Sequence, residues 1–254
     1  MKKNYHLLSR RQALTLLRAA GTAILVIGCT GRKFGSAQAQ FSSNVPASGT
    51  KLASAPACIV SPEQTEGPYF VDEKLNRSDI RSDPTDGTVK EGVPLQLTLK
   101  ISQVGSNGCV PLENAIVDIW HCDALGVYSD VQDRSFNTSG KKYLRGYQVT
   151  DADGTANFTT IYPGWYPGRT VHIHVKVRTN ATSGQGHEFT SQLYFDDSIS
   201  DQVYTKAPYV SKGQRTGNNA QDGIFNDGGA QMLLKLTPAQ NGYAGTLDIG
   251  LQMA

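Results

Sequence analysis

The sequence predicts an all-β fold, an antiparallel sandwich with long loops, and three observations carry the prediction. Apolar residues recur at period two in short runs, turn pairs such as Asn107-Gly108, Asp153-Gly154 and Asn241-Gly242 divide those runs, and no apolar stripe supports a helix of more than a few turns. The length of 254 residues suits one domain, and the composition, 39% hydrophobic and 18% charged, excludes disordered, collagenous and disulfide-knot classes.

In chain order, residues 1–39 read as an export leader. They hold seven basic and no acidic residues, an apolar run Ala19–Gly28, and small residues beyond it. The run is short for a membrane span. Ser9-Arg10-Arg11-Gln12-Ala13-Leu14 resembles the twin-arginine motif, a route for folded proteins that have acquired a cofactor. Two processing sites compete, an A-x-A signal at Ala37–Ala39 and a lipobox ending at Cys29. Removing residues 1–39 takes seven of 24 basic residues and none of the 22 acidic ones, so the remainder carries a formal charge of −5. That acidic balance gives no reason to expect a nucleic-acid partner, and a membrane contact is expected only through lipidation of Cys29. The predicted destination is the periplasm or the exterior.

Residues 40–57, rich in Ser, Ala, Pro and Gly, read as a flexible linker, and residues 58–254 as the sandwich domain. Within it, strands are expected at Leu95–Ile101, Ala115–Trp120, Tyr147–Val149, Phe158–Ile161, Val171–Val177 and Leu193–Phe195, then near 231–236 and 245–252. The polar, Gly/Asn/Asp-rich stretch 197–230 reads as loop over the sandwich edge. Cys58, Cys109 and Cys122 lie outside the leader, so one internal disulfide at most is expected, its pairing open.

The strand Val171–Val177 alternates strictly. It sends Val171, Ile173, Val175 and Val177 to one side and His172, His174 and Lys176 to the other, so two imidazoles can converge on one ion. By itself His-x-His also describes an ordinary polar sheet face. The upstream segment Tyr162-Pro163-Gly164-Trp165-Tyr166-Pro167-Gly168-Arg169 adds phenols and a cation. A phenol ionises near pH 10 and ligates poorly unless a hard cation favours its anion. Imidazoles with phenolate oxygens suit iron, and anionic oxygens favour its ferric state; zinc prefers Cys, His and carboxylate. No G-x-S-x-G, Walker, H-E-x-x-H or G-x-G-x-x-G pattern offers a rival centre.

Three ordered segments, D-I-W-H-C-D-A-L-G-V-Y-S over Asp118–Ser129, R-G-Y-Q-V-T-D-A-D-G over Arg145–Gly154 and Y-P-G-R-T-V-H-I-H over Tyr166–His174, resemble the intradiol ring-cleavage dioxygenases. This is the family of protocatechuate 3,4-dioxygenase and catechol 1,2-dioxygenase. The similarity runs from about Cys58 to Phe195. It implies a sandwich of the intradiol type and one Fe(III) held by Tyr128, Tyr166, His172 and His174.

The resemblance also assigns roles. Tyr166 would serve as ligand and base, Arg169 would stabilise charge on the ring, and Gln192 would support the site. Gln64–Phe70 resembles the segment that walls the substrate pocket, through Gly67, Pro68 and Tyr69. Tyr162 precedes Pro163-Gly164, where the family ligand follows that pair. Thr170-Val171 stands where the family often has Pro-Ala. His121 is expected to be structural and His187 to face solvent. The implied substrates are a catechol and O2, and the implied product is a cis,cis-muconate.

The long helical segment of catechol 1,2-dioxygenases is missing, which favours the protocatechuate-like branch, although that branch usually pairs unlike subunits. Here one chain would supply the pocket, alone or as a homo-oligomer. The competing readings are a non-catalytic sandwich of the transthyretin-like or carbohydrate-binding kind, and a zinc or copper site at His172 and His174.

Overall fold

The computed structural model describes residues 59–179 and 186–253. The expected leader, linker and Cys29 and Cys58 lie outside the described residues. Nine strands form two sheets. One sheet is built on β1 (Pro94–Gly105), whose first half pairs with β5 (Thr155–Ile161) and whose end pairs with β2 (Gly108–Pro111). Its other edge pairs with β9 (Gly242–Leu251), which in turn pairs with β8 (Lys235–Ala239). The second sheet runs β4-β3-β6-β7, from Arg145–Val149, Ile116–Trp120, His172–Arg178 and Glu188–Tyr194.

The period-two pattern shows directly in burial. Along β1, Leu95, Leu97, Leu99 and Ile101 are fully buried while Gln96 and Lys100 are exposed. They join Val117 and Ile119 of β3 and Ile173, Val175 and Val177 of β6 in one core cluster. Each such side chain contributes about 1.5–3 kcal/mol by leaving water. The opposite face of the second sheet carries a different row: Trp120 sits opposite His174, which sits opposite Gln192, and His172 sits opposite Tyr194.

The structure departs from the sequence expectation in four places. The β1–β9 pairing is parallel, so the first sheet is mixed. A short β2 closes a hairpin through the Asn107-Gly108 turn. The strand expected near 231–236 begins at Lys235, because Gly229–Met232 form a 3-10 turn. The stretch 197–230 contains α1 (Asp197–Val203) and α2 (Gly223–Asn226) with 3-10 turns between them. These helices are capped rather than stapled by apolar faces: the Asp196 side chain accepts from Ser198 N–H, and Asp222 from Ile224 and Phe225. No helix among the described residues is long and apolar enough to cross a membrane.

Candidate metal centre

His172 and His174 leave β6 on the face turned from the core, and their Nε2 atoms stand 3.1 Å apart. Tyr166 places its hydroxyl 3.0 Å from His172 Nε2, and Tyr128 places its own 3.5 Å from the same atom. Among the described residues no three His, Cys, Asp or Glu side chains gather as a metal site; the converging set is two imidazoles and two phenols. Separations of 3.0–3.5 Å from His172 Nε2 to the other three atoms are of the length that separates neighbouring ligands around an ion with bonds of about 2 Å.

Tautomers support the same reading. The His172 Nδ1–H donates to the Thr170 carbonyl at 2.7 Å, which turns the Nε2 lone pair toward the phenols and His174. His174 Nδ1 is buried without a hydrogen-bond partner. Its ring is oriented instead by stacking on Trp120, at 4.9 Å between centroids and 7° between planes. Burial pushes both phenols well above their ordinary range, and it lowers both imidazoles, His172 to about 3. All four groups are therefore neutral by themselves, and a cation among them reverses the direction for the phenols.

The two phenols are held differently. Tyr128 is 1% exposed and follows a tight turn, in which Asp123 Oδ1 accepts from Leu125 and Val127 N–H at 3.0 Å each. Gly126 in that turn has φ +81°, and a Cβ there would lie 2.2 Å from the Trp165 carbonyl oxygen. Tyr166 is half-buried on its loop. Lys212 joins the two loops, donating to the carbonyls of Leu125 and Trp165.

A family model described as Dioxygenase matches residues 65–215. An intradiol ring-cleavage dioxygenase from Tetranychus urticae superposes with a TM-score of 0.67 at 33% identity, covering 77% of this chain and 95% of that one. The chain belongs to the intradiol ring-cleavage dioxygenases. A dioxygenase domain from Streptomyces sp. SirexAA-E, fused to a carbohydrate-binding protein, is similar at 31% identity and a TM-score of 0.54, with 77% of this chain and all of that one covered. The protocatechuate 3,4-dioxygenase beta chain of Burkholderia cepacia is 31% identical over 122 residues, 44% of this chain; the chain spans about half of that relative, 51%.

Around the four donors of this intradiol dioxygenase, Arg169 places one terminal nitrogen 3.5 Å from His172 Nε2 and gives the other to Gln192 Oε1. Gln192 is fully buried and also donates to the Thr65 carbonyl at 3.0 Å. The segment 67–69 lies against the same donors. A Cβ on Gly67 would stand 3.2 Å from the His174 ring, and the Tyr69 ring lies 4.7 Å from that of Tyr128. Tyr69 extends its hydroxyl to Asp133 at 2.9 Å.

Three residues from the sequence reading stay outside the cluster. Tyr162 is fully buried, its hydroxyl 2.7 Å from Ser200 Oγ. His121 is buried between the Cys122 carbonyl at 2.8 Å and Thr160 Oγ1 at 2.7 Å, a structural position. His187 is half-buried, and its backbone N–H donates to Thr179 Oγ1. Cys122 is a free, buried thiol, whereas Cys109 is disulfide-bonded.

Sequence reasoning assigned no role to Arg145, Lys212 or Asp222. Arg145 is 2% exposed and ties Ser129 Oγ at 2.7 Å to the Tyr69 carbonyl at 3.2 Å, so it joins the Tyr128 loop to the 67–69 wall. Its place in the Arg145–Gly154 segment was the one available signal.

Proposed function

We propose that the chain is a non-haem Fe(III) dioxygenase that cleaves a catechol-type ring between its two hydroxyl-bearing carbons and yields a cis,cis-muconate-type product. The observation that carries this reading is the convergence of two phenol oxygens and the His174 Nε2 on His172 Nε2, at 3.0–3.5 Å, with the Arg169 guanidinium beside them. Tyr128, Tyr166, His172 and His174 would hold the iron. A bound ferric ion would supply chelation of the two catechol oxygens and activation of the ring toward dioxygen.

The chain's own groups divide the remaining work. Tyr128, sealed by the Asp123 turn, and the two histidines on a central strand are the fixed elements. Tyr166, half-buried on a loop, is the less enclosed of the two phenols. Its oxygen stands where it can accept a proton from a catechol hydroxyl as the substrate settles. Arg169, held at two nitrogens, directs the third at the reacting ring and stabilises negative charge developing there. Gly67, Pro68 and Tyr69 form a wall against which the ring packs.

Iron content and colour test the reading. The purified protein is expected to hold about one iron per chain and to be red-brown from the ferric phenolates. Oxygen uptake across catechol, protocatechuate and hydroxyquinol, with product spectra, then names the substrate. A colourless, iron-free preparation from iron-replete cells overturns the proposal. Export to the periplasm or exterior, with iron loaded before passage, belongs to the same proposal and rests on the twin-arginine pattern of residues 9–14.

A further inference from the structure

Asp222 lies in the polar stretch 197–230, beyond the residues matched by the family model, yet it is 3% exposed and makes four hydrogen bonds. Its Oδ1 accepts from the N–H groups of Ile224 at 2.8 Å and Phe225 at 3.2 Å, capping α2. Its Oδ2 accepts from Arg169 Nε and from the Thr170 N–H, both at 2.8 Å. The carbonyl of the same residue, in the next peptide unit, fixes His172, and the Thr170 hydroxyl donates to Asn219 Oδ1 at 2.6 Å. One carboxylate thus anchors both the arginine and the residue whose carbonyl sets a histidine tautomer.

We propose that Asp222 is the positioning residue for Arg169: its carboxylate, with Gln192, leaves the guanidinium one direction to point, and so sets the rate of ring cleavage. The inference rests on the dioxygenase reading of the site. A guanidinium is a rigid planar fork, so holding Nε and one terminal nitrogen determines where the other lies. Here that nitrogen faces His172. A half-buried arginine deprived of its carboxylate loses its orientation as well as its charge partner.

The chemistry of the four bonds makes the carboxylate irreplaceable by its amide. Two N–H donors meet each oxygen, so in Asp222→Asn the amide NH2 must face a pair of donors. Either the α2 cap or the Arg169–Thr170 anchor is then lost. A structural role and a positioning role therefore predict different things of one variant, and a double-mutant cycle with Arg169→Lys separates them.

The holoenzyme is measured as wild type, Asp222→Asn, Asp222→Ala, Arg169→Lys and the Asp222→Asn/Arg169→Lys double variant. Asp222→Asn is expected to keep its iron content and its ferric visible band while kcat falls about 10- to 100-fold, the usual scale for an outer-sphere partner of a metal site. In the Arg169→Lys background the same change is expected to alter kcat less than about twofold, because its target is already gone. Anaerobic titration with 4-nitrocatechol, followed in the visible, is expected to show the same non-additivity in affinity. Urea unfolding of the iron-free proteins supplies a readout independent of turnover, in which the double variant is expected to be no less stable than the weaker single. Effects on kcat that multiply in the two backgrounds, or a wild-type kcat in both Asp222→Asn and Asp222→Ala, the latter removing all four acceptor contacts, overturn the proposal. A wild type without turnover whose unfolding cycle still couples the two residues overturns the dioxygenase reading and supports the anchoring of Arg169 by Asp222.

Discussion

Exchanging phenol for phenyl at Tyr166 and at Tyr162 separates a group of the site from a neighbour four residues away. Tyr166 presents its hydroxyl to His172 Nε2 at 3.0 Å from a half-buried loop position. Tyr166→Phe removes one of four donors and the group placed to accept a proton. A positioned acid or base contributes about 10²–10⁴-fold, so kcat is expected to fall at least ~100-fold, or about 2.7 kcal/mol of barrier. The ferric band is expected to shift because one phenolate is gone. Tyr162→Phe deletes a hydroxyl bonded to Ser200 Oγ at 2.7 Å, deep in the core against the Phe195 ring at 4.4 Å. Ser200 keeps a second bond, to the Asp196 carbonyl at 3.1 Å, so no polar atom of Ser200 is stranded. The expected cost is about 1 kcal/mol of stability, a Tm lower by about 2–4 °C, with colour and kcat retained. Visible absorption, oxygen uptake and a thermal melt on both variants decide the matter. Equal spectral shifts, or a silent Tyr166→Phe beside an inactive Tyr162→Phe, would refute the placement of the loop.

Four further outcomes follow from the same geometry. Lys212→Met takes the donor from the part-buried Trp165 carbonyl, while the exposed Leu125 carbonyl turns to water; a loss of about 1–2 kcal/mol in urea unfolding, with looser iron retention under chelator, is expected. Gly126→Ala combines a left-handed φ with a Cβ 2.2 Å from the Trp165 oxygen, so it is expected to destabilise by about 3 kcal/mol and to lower iron occupancy. Burial holds the His121 imidazole at about 4, below its ordinary value of about 6.5. The unfolded chain therefore takes up the proton first, and stability is complete above pH ~6.5 and declines toward pH ~4 by roughly 3 kcal/mol. His121→Gln should flatten that part of the stability profile, and an unchanged slope would count against it; His172 and His174 add to the decline in iron-free protein. Burial pushes the Cys122 thiol up to about 12, so a thiol reagent should leave it unmodified in the native protein and label it in urea.

What could be read in the chain, and what could not, follows from how far apart the interacting residues lie. Alternation is a local signal: it placed the inward leucines of β1 and the two histidines of β6, because a strand with one buried face repeats every two residues. It was weaker at β7, where Ser191 takes an inward position and Phe189 alone marks the strand's first half. Strand order is not local, and the parallel pairing of β1 with β9, which joins Leu95 to Tyr243, leaves no mark in either segment. The two phenols were found through ordered motifs rather than through physics, since nothing in Tyr128 itself distinguishes it from a packing aromatic.

The residues that orient the site were the hardest to see. Asp222, Lys212 and Asn219 sit in a segment with no apolar period, where polar side chains read as solvated loop. Their work is to satisfy hydrogen-bonding groups on elements far away in sequence: Asp222 reaches back 53 residues to Arg169, and Lys212 reaches 87 to Leu125. A buried backbone N–H such as that of Thr170 needs an acceptor, and a part-buried carbonyl such as that of Trp165 needs a donor. These requirements arise only once the sheets have brought Arg169 and the 123–128 turn to one end of the sandwich. The stretch 197–230 is thus polar because it supplies the second layer of a buried polar site, and its lack of pattern reflects targets scattered over three other elements.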